Sequence, residues 1–582
     1  MPFPLEQPLP RDWWTSAVVY QIYPRSFADS DGDGIGDLRG ILDHLDHLEH
    51  LGVDVVWLSP VYRSPQDDNG YDISDYQDVD PTFGSLADLD ELIEALHARG
   101  IRLVMDLVVN HTSDEHPWFQ DSRSAPTSER RDWYWWRPPR EGHTGGEPGA
   151  EPNDWRSFFS GPAWEWDAAS GEYYLHLFSR KQPDLNWENP QVREAVYAMM
   201  RWWLDRGVDG FRMDVINLIS KPEGLPDGTS FTLVADGPRV HEFLAEMHEQ
   251  VFAAHPRAFL TVGEMPGVTT HDARLYTDPA RREVDMVFQF EHVDLGIGPG
   301  GKFDRRPVTM PQLRESLMGW QVALADVGWN SLYWDNHDQP RAVSRFGDDD
   351  PAWRERSAKT LASVLHTLRG TPYVYQGEEL GMTNSPFAVL TDFRDIEALN
   401  HVAEQEGGGV GFETVLPGLL EVGRDNARTP VQWDAKPGAG FTTGEPWIGI
   451  NPNHAQVNAA AQVGDPGSVL EHYRALIALR HAEPVIARGS VTPLAMDHPD
   501  LWAVERELDG VVVRTFAAFT REPVAVPGEL VEGWQDAEVV LATSPEAADL
   551  LRSQALLPGW ESVVLRRGVR SADSDLHRPP EQ

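Results

Sequence analysis

The stretch RGVDGFRMDVIN, residues 206–217, predicts a buried strand that ends at a carboxylate. Asp214 comes two positions after Arg212. Residues two apart lie on the same face of a strand, so the guanidinium and the carboxylate should point the same way. A neighbouring arginine favours the ionised form of a carboxylate, which a carboxylate nucleophile requires. A structural ion pair at the strand end is the alternative interpretation.

Strand-like and helix-like segments alternate on both sides of this stretch. Residues 41–52 carry leucines at helical spacing, and residues 53–60 form a short apolar run that ends at proline. Repetition of this pattern favours an α/β fold with a parallel sheet covered by helices. Eight strands close a (β/α)8 TIM barrel, whose chemistry lies at the C-terminal strand ends. The eight predicted strands are 17–24, 53–60, 101–111, 208–214, 259–264, 285–292, 331–338 and 371–379.

Two internal regions and the C-terminal part depart from this alternation. Residues 112–183 are rich in Trp, Pro and Gly and predict a subdomain inserted after the third strand. Residues 383–460 predict a loop-rich excursion after the eighth strand. Short strands separated by turns predict an antiparallel β-domain over 493–568. The barrel would then comprise 1–111 and 184–492, and the polar tail 569–582 is predicted to be disordered.

Composition restricts the class of partner. Asp and Glu total 92 against 49 Lys and Arg, a formal charge of −43 over 582 residues. This charge should repel nucleic acid and anionic membranes, and it fits a neutral substrate better than a phosphorylated one. The sequence has no cysteine, no signal-peptide pattern and no long apolar run. We therefore expect a soluble, cytoplasmic protein, with a monomer favoured.

The loop DSDGDGIGD, residues 29–37, resembles the first half of an EF-hand calcium loop. Its acidic residues alternate, and glycine allows the sharp turn between them. Gly40 occupies the place where an EF-hand has its last glutamate. The loop predicts a structural Ca2+ site, or Mg2+, with a solvated acidic turn as the alternative; no organic cofactor is expected. The predicted ligands are Asp29, Asp31, Asp33, the Ile35 carbonyl and Asp37.

Carboxylates collect at the ends of the predicted strands. Asp214 ends the fourth strand, Glu264 the fifth and Asp338 the seventh. The C-terminal ends of barrel strands meet at one rim, so these side chains should converge. Unpaired buried charge is costly, which favours a shared catalytic site over three separate structural roles.

Four motifs together resemble the α-amylase superfamily of glycoside hydrolases, and within it the oligo-1,6-glucosidase and α-glucosidase branch. They are DLVVNH (106–111), GFRMD (210–214), VGE (262–264) and NHD (336–338). The resemblance implies a TIM barrel with a subdomain after strand three and a C-terminal β-domain. It also implies a retaining double displacement, with an ionised nucleophile and a protonated acid/base. The roles implied are nucleophile for Asp214, acid/base for Glu264 and third, sugar-holding carboxylate for Asp338.

The resemblance also implies residues that bind the substrate. Asp72 and Arg428 are expected to close the non-reducing end of the pocket, so that single terminal glucose units are released. Tyr71 is expected to stack on the sugar ring. Val215 resembles the residue found in members that prefer α-1,6 linkages. The other expected substrate-binding residues are His111, Phe178, Gln182, Arg212 and His337.

Several activities share these three carboxylates. The expected activity is that of an exo-acting α-glucosidase that prefers isomaltose and isomalto-oligosaccharides. An α-1,4-glucosidase, an endo-acting amylase, a sucrose isomerase and a transglucosylase are the alternatives. Such isomerases carry an Arg-Leu-Asp-Arg-Asp segment after strand six, whereas this chain has VDLGIGPG at 293–300. A non-enzymatic binding subunit is disfavoured because all three carboxylates are present.

Overall fold

The computed structural model describes residues 12–228, 231–253, 255 and 257–568. At its centre, eight strands pair in parallel around a ring. The second and third strands are buried along their whole length, as expected for a sheet covered on both faces. The strands are β1 (Val19–Ile22), β2 (Val55–Leu58), β3 (Arg102–Val108), β4 (Gly210–Asp214), β5 (Leu260–Glu264), β6 (Met286–Phe288), β7 (Ser331–Leu332) and β8 (Thr371–Tyr375).

The order of strands shows that the ring nearly closes. Hydrogen-bonded neighbours run β6-β5-β4-β3-β2-β1-β8-β7. A parallel bridge between Val287 of β6 and Asn330, just before β7, joins the two ends. The predicted (β/α)8 fold class is therefore confirmed.

Helices connect successive strands and cover the barrel. The helix after β2 begins at Ser85, which forms a capping box with Asp88, and its buried residues recur at helical spacing. The main helices are α1 (Leu38–Asp43), α2 (Leu45–Leu51), α3 (Leu86–Ala98), α4 (Pro190–Arg206), α5 (Val240–Met247), α6 (Thr270–Tyr276), α7 (Met310–Ala323), α8 (Arg354–His366), α9 (Ile396–Gly407), α10 (Phe412–Val422) and α11 (Val469–Ala482).

Two further sheets of three or more strands lie outside the barrel in the described part of the chain. In the region after β3, strands Trp136–Arg137, Trp164–Asp167 and Glu172–Leu175 form a three-stranded antiparallel sheet. The C-terminal sheet is antiparallel and runs β9-β10-β11-β13-β12. Its strands are β9 (Ser490–Leu494), β10 (Leu501–Leu508), β11 (Val511–Ala518), β12 (Glu538–Ala542) and β13 (Ser562–Arg567).

Several predicted element limits were wrong. The seventh strand ends at Leu332, so that the NHD motif lies in a turn beyond it. His292 lies in the short helix Glu291–Asp294 and not at the end of β6. In both places, turn or helix conformation replaces the extended backbone that the apolar pattern predicted.

The C-terminal region also differs from its prediction. Its first strand begins at Ser490, before residue 493. Within the region 493–568, predicted as one antiparallel β-domain, Val524–Ala525 pairs with Leu556–Leu557 in a separate small sheet. A helix, Pro545–Gln554, occupies part of the region that was predicted as strands and turns. The tail 569–582 lies outside the described residues.

Candidate active site

Strand register brings the predicted catalytic side chains to one level of the barrel. Asp106 of β3 lies opposite Arg212 of β4, and Val108 lies opposite Asp214. Between β4 and β5, Met213 lies opposite Gly263, which places Glu264 next to Asp214 at the rim. Parallel pairing therefore converts positions more than a hundred residues apart into neighbours.

Arg212 is the centre of this group. Its Nη1 donates to Asp106 Oδ1 at 2.7 Å and to Asp214 Oδ1 at 2.6 Å. Its Nη2 lies 2.5 Å from Glu264 Oε1. Trp57 and Tyr71 donate hydrogen bonds to the other oxygen of Asp106, at 2.8 and 3.2 Å. One fully buried guanidinium thus bridges the two predicted catalytic carboxylates and a third, supporting one.

Protonation of the Asp214–Glu264 pair is governed by burial. Burial raises the pKa of Asp214 well above its usual value, and Arg212 opposes this effect. Burial also raises the pKa of Glu264, again against Arg212, and the negative charges near it raise it further. Neighbouring carboxylates of this kind titrate together, and the charge of one disfavours ionisation of the other. The sequence predicted that Arg212 keeps Asp214 ionised, but burial outweighs the effect of Arg212 on the pKa of Asp214.

Asp338 has the opposite environment. Burial would raise its pKa, but two arginines beside it hold the pKa of Asp338 well below its usual range. Arg428 Nη2 lies 2.8 Å and Arg424 Nη1 3.3 Å from Asp338 Oδ1. His337 contributes little charge, since burial lowers the pKa of its imidazole to about 3. Asp338 is therefore ionised at neutral pH.

A cavity of about 190 Å³ opens over these carboxylates. All three predicted catalytic residues line it, together with Tyr71, His111 and Phe178. The Tyr71 ring stacks on His337 at 5.1 Å between centroids. Val215, which was identified from the sequence, also lines the cavity. The remaining lining residues were not identified from the sequence; they are Asp68, Phe158, Phe159, Leu218, Phe231, Pro266, Phe290, Lys302, Gln339, Glu397 and Arg424.

Asp72 and Arg428 do not form the predicted pocket closure. Asp72 is fully buried within its own loop, where it accepts hydrogen bonds from the Ser64 hydroxyl and from the N–H groups of Asp67 and Asp68 at 2.8 to 3.0 Å. Neither Asp72 nor Arg428 lines the cavity.

Asp68 and Arg424 occupy that place instead. Arg424 Nη2 lies 3.3 Å from Asp68 Oδ1, and both residues line the cavity. The run DDNGYD contains three acidic residues, and spacing alone could not show which one faces the sugar. The loop conformation decides which aspartate faces the cavity, because the carboxylate of Asp72 already accepts hydrogen bonds from within the loop.

Of the remaining predicted binding residues, His111 lines the cavity, whereas Gln182 and His337 do not. Gln182 is fully buried and donates to Asp68 Oδ2 at 3.1 Å. His337 is also buried; its Nε2 makes no hydrogen bond within the described residues and lies 3.4 Å from Asp338 Oδ2. Burial lowers the pKa of His111, which lines the cavity, to about 4. These imidazoles are therefore neutral.

The acidic loop brings three of its predicted ligands together. Carboxylate oxygens of Asp29, Asp31 and Asp37 lie within 4.8 Å of one another. Asp33 is outside this group and accepts the Ile35 N–H at 2.8 Å. Burial would raise the pKa of Asp29, but hydrogen bonds from the Thr442 hydroxyl and nearby N–H groups lower it. This donor set of hard oxygens fits a calcium or magnesium ion.

Comparison with known proteins identifies the class of this chain. The family described as the alpha amylase catalytic domain matches residues 21–489. The chain belongs to the α-amylase family of glycoside hydrolases. It is therefore a glycoside hydrolase with the barrel fold of its family.

Particular relatives are closely similar over nearly the whole chain. An oligo-1,6-glucosidase of Parageobacillus thermoglucosidasius is 52% identical over 571 residues, which cover 96% of this chain and 99% of that protein. A trehalose-6-phosphate hydrolase of Bacillus subtilis (strain 168) is 47% identical, with 95% and 98% covered. A solved structure of a variant of the trehalulose synthase MutB in complex with Tris superposes with a TM-score of 0.89 at 43% identity, covering 95% of this chain and 100% of that one.

No helix among residues 12–228, 231–253, 255 and 257–568 is long and apolar enough to cross a membrane.

Proposed function

We propose that the chain is an exo-acting retaining α-glucosidase that releases terminal glucose from short α-glucosides and prefers α-1,6 linkages. The observation that carries this proposal is the cavity in which Arg212 bridges Asp214 and Glu264. The Asp68–Arg424 pair at the cavity wall supports exo action, because a blocked end leaves room for a terminal sugar only. The 52% identity to an oligo-1,6-glucosidase supports the linkage.

The reaction begins with attack of Asp214 on the anomeric carbon. In the same step Glu264 gives its proton to the glycosidic oxygen, so that the C–O bond breaks and the aglycone leaves as an alcohol. The raised pKa of Glu264 fits this step, since the acid must carry a proton when the nucleophile is ionised. Glu264 then removes a proton from water, which attacks the glucosyl–Asp214 ester and releases glucose with retained configuration.

Two groups assist the charged transition state. Ionised Asp338 accepts hydrogen bonds from sugar hydroxyls and stabilises positive charge on the ring. Val215 N–H donates to Glu264 Oε2 at 3.1 Å, which holds the acid/base in place. The Val215 side chain lines the cavity directly after the nucleophile, where one β-branched group is worth about 1–3 kcal/mol of linkage discrimination.

Four alternatives use the same carboxylates. Hydrolysis of α-1,4-glucosides is the first of them. The similarity to a trehalulose synthase keeps sucrose isomerisation and transglucosylation as candidates, although the segment 293–300 lacks the charged isomerase sequence. Hydrolysis of a phosphorylated disaccharide is the activity named for the Bacillus subtilis relative.

Rates on isomaltose, maltose, sucrose and trehalose, measured side by side, test the proposal. We expect isomaltose to be hydrolysed fastest, with glucose as product and no isomaltulose or trehalulose from sucrose. Asp214→Asn should lower kcat/KM by about 10⁴-fold or more, since it removes the nucleophile. Faster hydrolysis of maltose would contradict the assigned linkage, and an active Asp214→Asn variant would contradict the mechanism.

We also propose that the acidic loop binds Ca2+ in a structural role. The convergence of Asp29, Asp31 and Asp37 supports this, and such a site should stabilise the folded chain by mass action. Ca2+ is expected to raise Tm, and a chelator to reverse the rise. Asp31→Asn should abolish the effect, whereas Asp33→Asn should largely retain it. Titration with Mg2+ distinguishes the two ions. A Tm that neither Ca2+ nor Mg2+ changes would refute the site.

Location and assembly remain proposals from bulk properties. We propose a soluble, cytoplasmic monomer, supported by the net charge of −43. Light scattering coupled to gel filtration should give a mass near 65.3 kDa. A mass of twice this value would refute the monomer.

A further inference from the structure

Three charged residues contributed by loops beyond the strand ends form the outer part of the cavity. We call this group the outer cluster: Lys302, Glu397 and Arg424. Lys302 lies on the hairpin after β6, and Glu397 lies in the first turn of α9. At 29% exposure, the Lys302 side chain is more accessible than that of Glu397 (16%) or Arg424 (7%). Lys302 is therefore the cation that an incoming aglycone meets.

The charges of the outer cluster are already paired. Lys302 Nζ lies 2.6 Å from Glu397 Oε2, the one ion pair that it makes within the described part of the chain. Arg424 contacts Asp68 and Asp338 at 3.3 Å and Glu397 at 3.5 Å, and it also pairs with Asp395. Neither cation has an uncompensated charge to offer a ligand.

We infer that Glu397 determines the charge selectivity of the cavity: by pairing with Lys302 it removes the cation that a phosphorylated aglycone would require, so that uncharged glucosides are accepted and sugar phosphates are rejected. The inference rests on the proposed α-glucosidase function. Lysine is an effective phosphate ligand as a point charge, and a carboxylate that neutralises it also repels the phosphate. The other carboxylates of the cavity, Asp68 and Asp338 among them, add to this repulsion.

The experiment compares kcat/KM on trehalose 6-phosphate and on isomaltose for the wild type and Glu397→Gln. Glutamine keeps the shape and a hydrogen-bond acceptor but loses the charge. We expect the ratio of phosphorylated to neutral activity to rise about tenfold or more, the size of one charge-assisted contact. Glu404→Gln is the matched control, because Glu404 lies on the same helix and pairs with Arg156 outside the cavity. Its ratio should stay within about twofold of the wild type.

A second pair of variants tests whether Lys302 is the cation that is released. Lys302→Gln alone should not raise the ratio, since it removes the cation and leaves the charge of Glu397 in place. In the Glu397→Gln background the same change should abolish the gain. Inhibition by glucose 6-phosphate gives an independent measure, and it should be strongest in Glu397→Gln.

The outcomes separate this inference from the proposed function. An unchanged ratio in active Glu397→Gln, or an equal rise in Glu404→Gln, would overturn the selectivity role while leaving the glucosidase intact. A rise of the ratio in Lys302→Gln alone, equal to that in Glu397→Gln, would overturn it too, because phosphate would then be accepted without the lysine and beside an ionised Glu397. Absence of hydrolysis of any neutral glucoside by the wild type would instead refute the proposed function.

Discussion

At the scale of single residues, the site depends on one buried arginine that pairs with three carboxylates. Arg212 is buried among Asp106, Asp214 and Glu264, and it offsets part of their mutual repulsion. An isolated buried carboxylate would be costly, and three are tolerated here because this cation offsets part of the cost. The positions of the three carboxylates therefore depend on one arginine, whereas burial dominates their protonation.

Arg424 provides a test of the corrected pocket closure. Arg424→Lys should raise KM for isomaltose about tenfold, because lysine cannot reproduce a fork that reaches Asp68 and Asp338 together. Steady-state kinetics on isomaltose would measure this change. Ser344→Ala, a substitution of a partly buried residue outside the cavity, should leave KM within about twofold. An unchanged KM in Arg424→Lys would show that the pair does not bind the sugar.

Asp72 should affect the free energy of unfolding and its pH dependence, whereas a pocket residue should affect substrate binding. Burial raises its pKa to about 6, although hydrogen bonds from Asp68, Asp67 and Ser64 oppose this effect. The folded chain therefore retains a proton that the unfolded chain releases near pH 4. The stability gained from this proton is complete below pH 4 and is lost as the pH rises to about 6.

Asp72→Asn should remove this pH dependence between about pH 4 and 6, which amounts to about 1–3 kcal/mol. Denaturant unfolding at several pH values measures the slope. The variant should also be less stable than the wild type at pH 7, because its amide N–H group faces backbone donors. Asp75→Asn, an exposed change in the same region, should retain the wild-type slope.

At the scale of elements, buried arginines attach the C-terminal sheet to the barrel. Arg506 of β10 is fully buried and donates to four backbone carbonyls at 2.6 to 2.9 Å. One of them, Thr367 O, lies just after α8 of the barrel. Burial lowers the pKa of Arg506, with no carboxylate among its hydrogen-bond partners in the described ranges. These contacts fix the sheet against the barrel through the geometry of the guanidinium.

Arg506→Ala should therefore destabilise the protein by about 3–5 kcal/mol, since several buried carbonyls lose their donors together. Denaturant unfolding followed by tryptophan fluorescence measures the loss. Arg552→Ala is the control, because Arg552 makes an exposed pair with Asp549 within one helix. It should change stability by less than about 0.5 kcal/mol, and a similar small effect in Arg506→Ala would contradict the attachment role.

At the scale of the whole molecule, the net charge of −43 repels anionic ligands and has little effect on the binding of neutral sugars. We expect kcat/KM for isomaltose to vary less than about twofold between about 50 and 500 mM NaCl, since no electrostatic steering acts on it. Inhibition by glucose 6-phosphate should strengthen over the same range as salt screens the repulsion. A steep loss of isomaltose activity with salt would contradict a neutral substrate.

The sequence by itself determined the eight strands along the chain, the three carboxylates that meet at the cavity and the family, because apolar periodicity and short motifs are local. Asp214, Glu264 and Asp338 follow strand patterns that can be counted along the chain. It did not determine where β7 ends, since the apolar run continues into a turn that tertiary contacts impose.

The tertiary structure alone decided which residues complete the pocket. The sequence offers two aspartates four residues apart, Asp68 and Asp72, and two arginines four residues apart, Arg424 and Arg428. Only the folded loops show that Asp68 and Arg424 face the cavity. The same holds for Glu397 and Lys302, which lie 95 residues apart and form one ion pair. Such pairs arise from loops brought together by barrel closure, and no local pattern encodes a contact over that separation. The protonation of Asp214 and Glu264 also depends on burial, which only the complete fold sets.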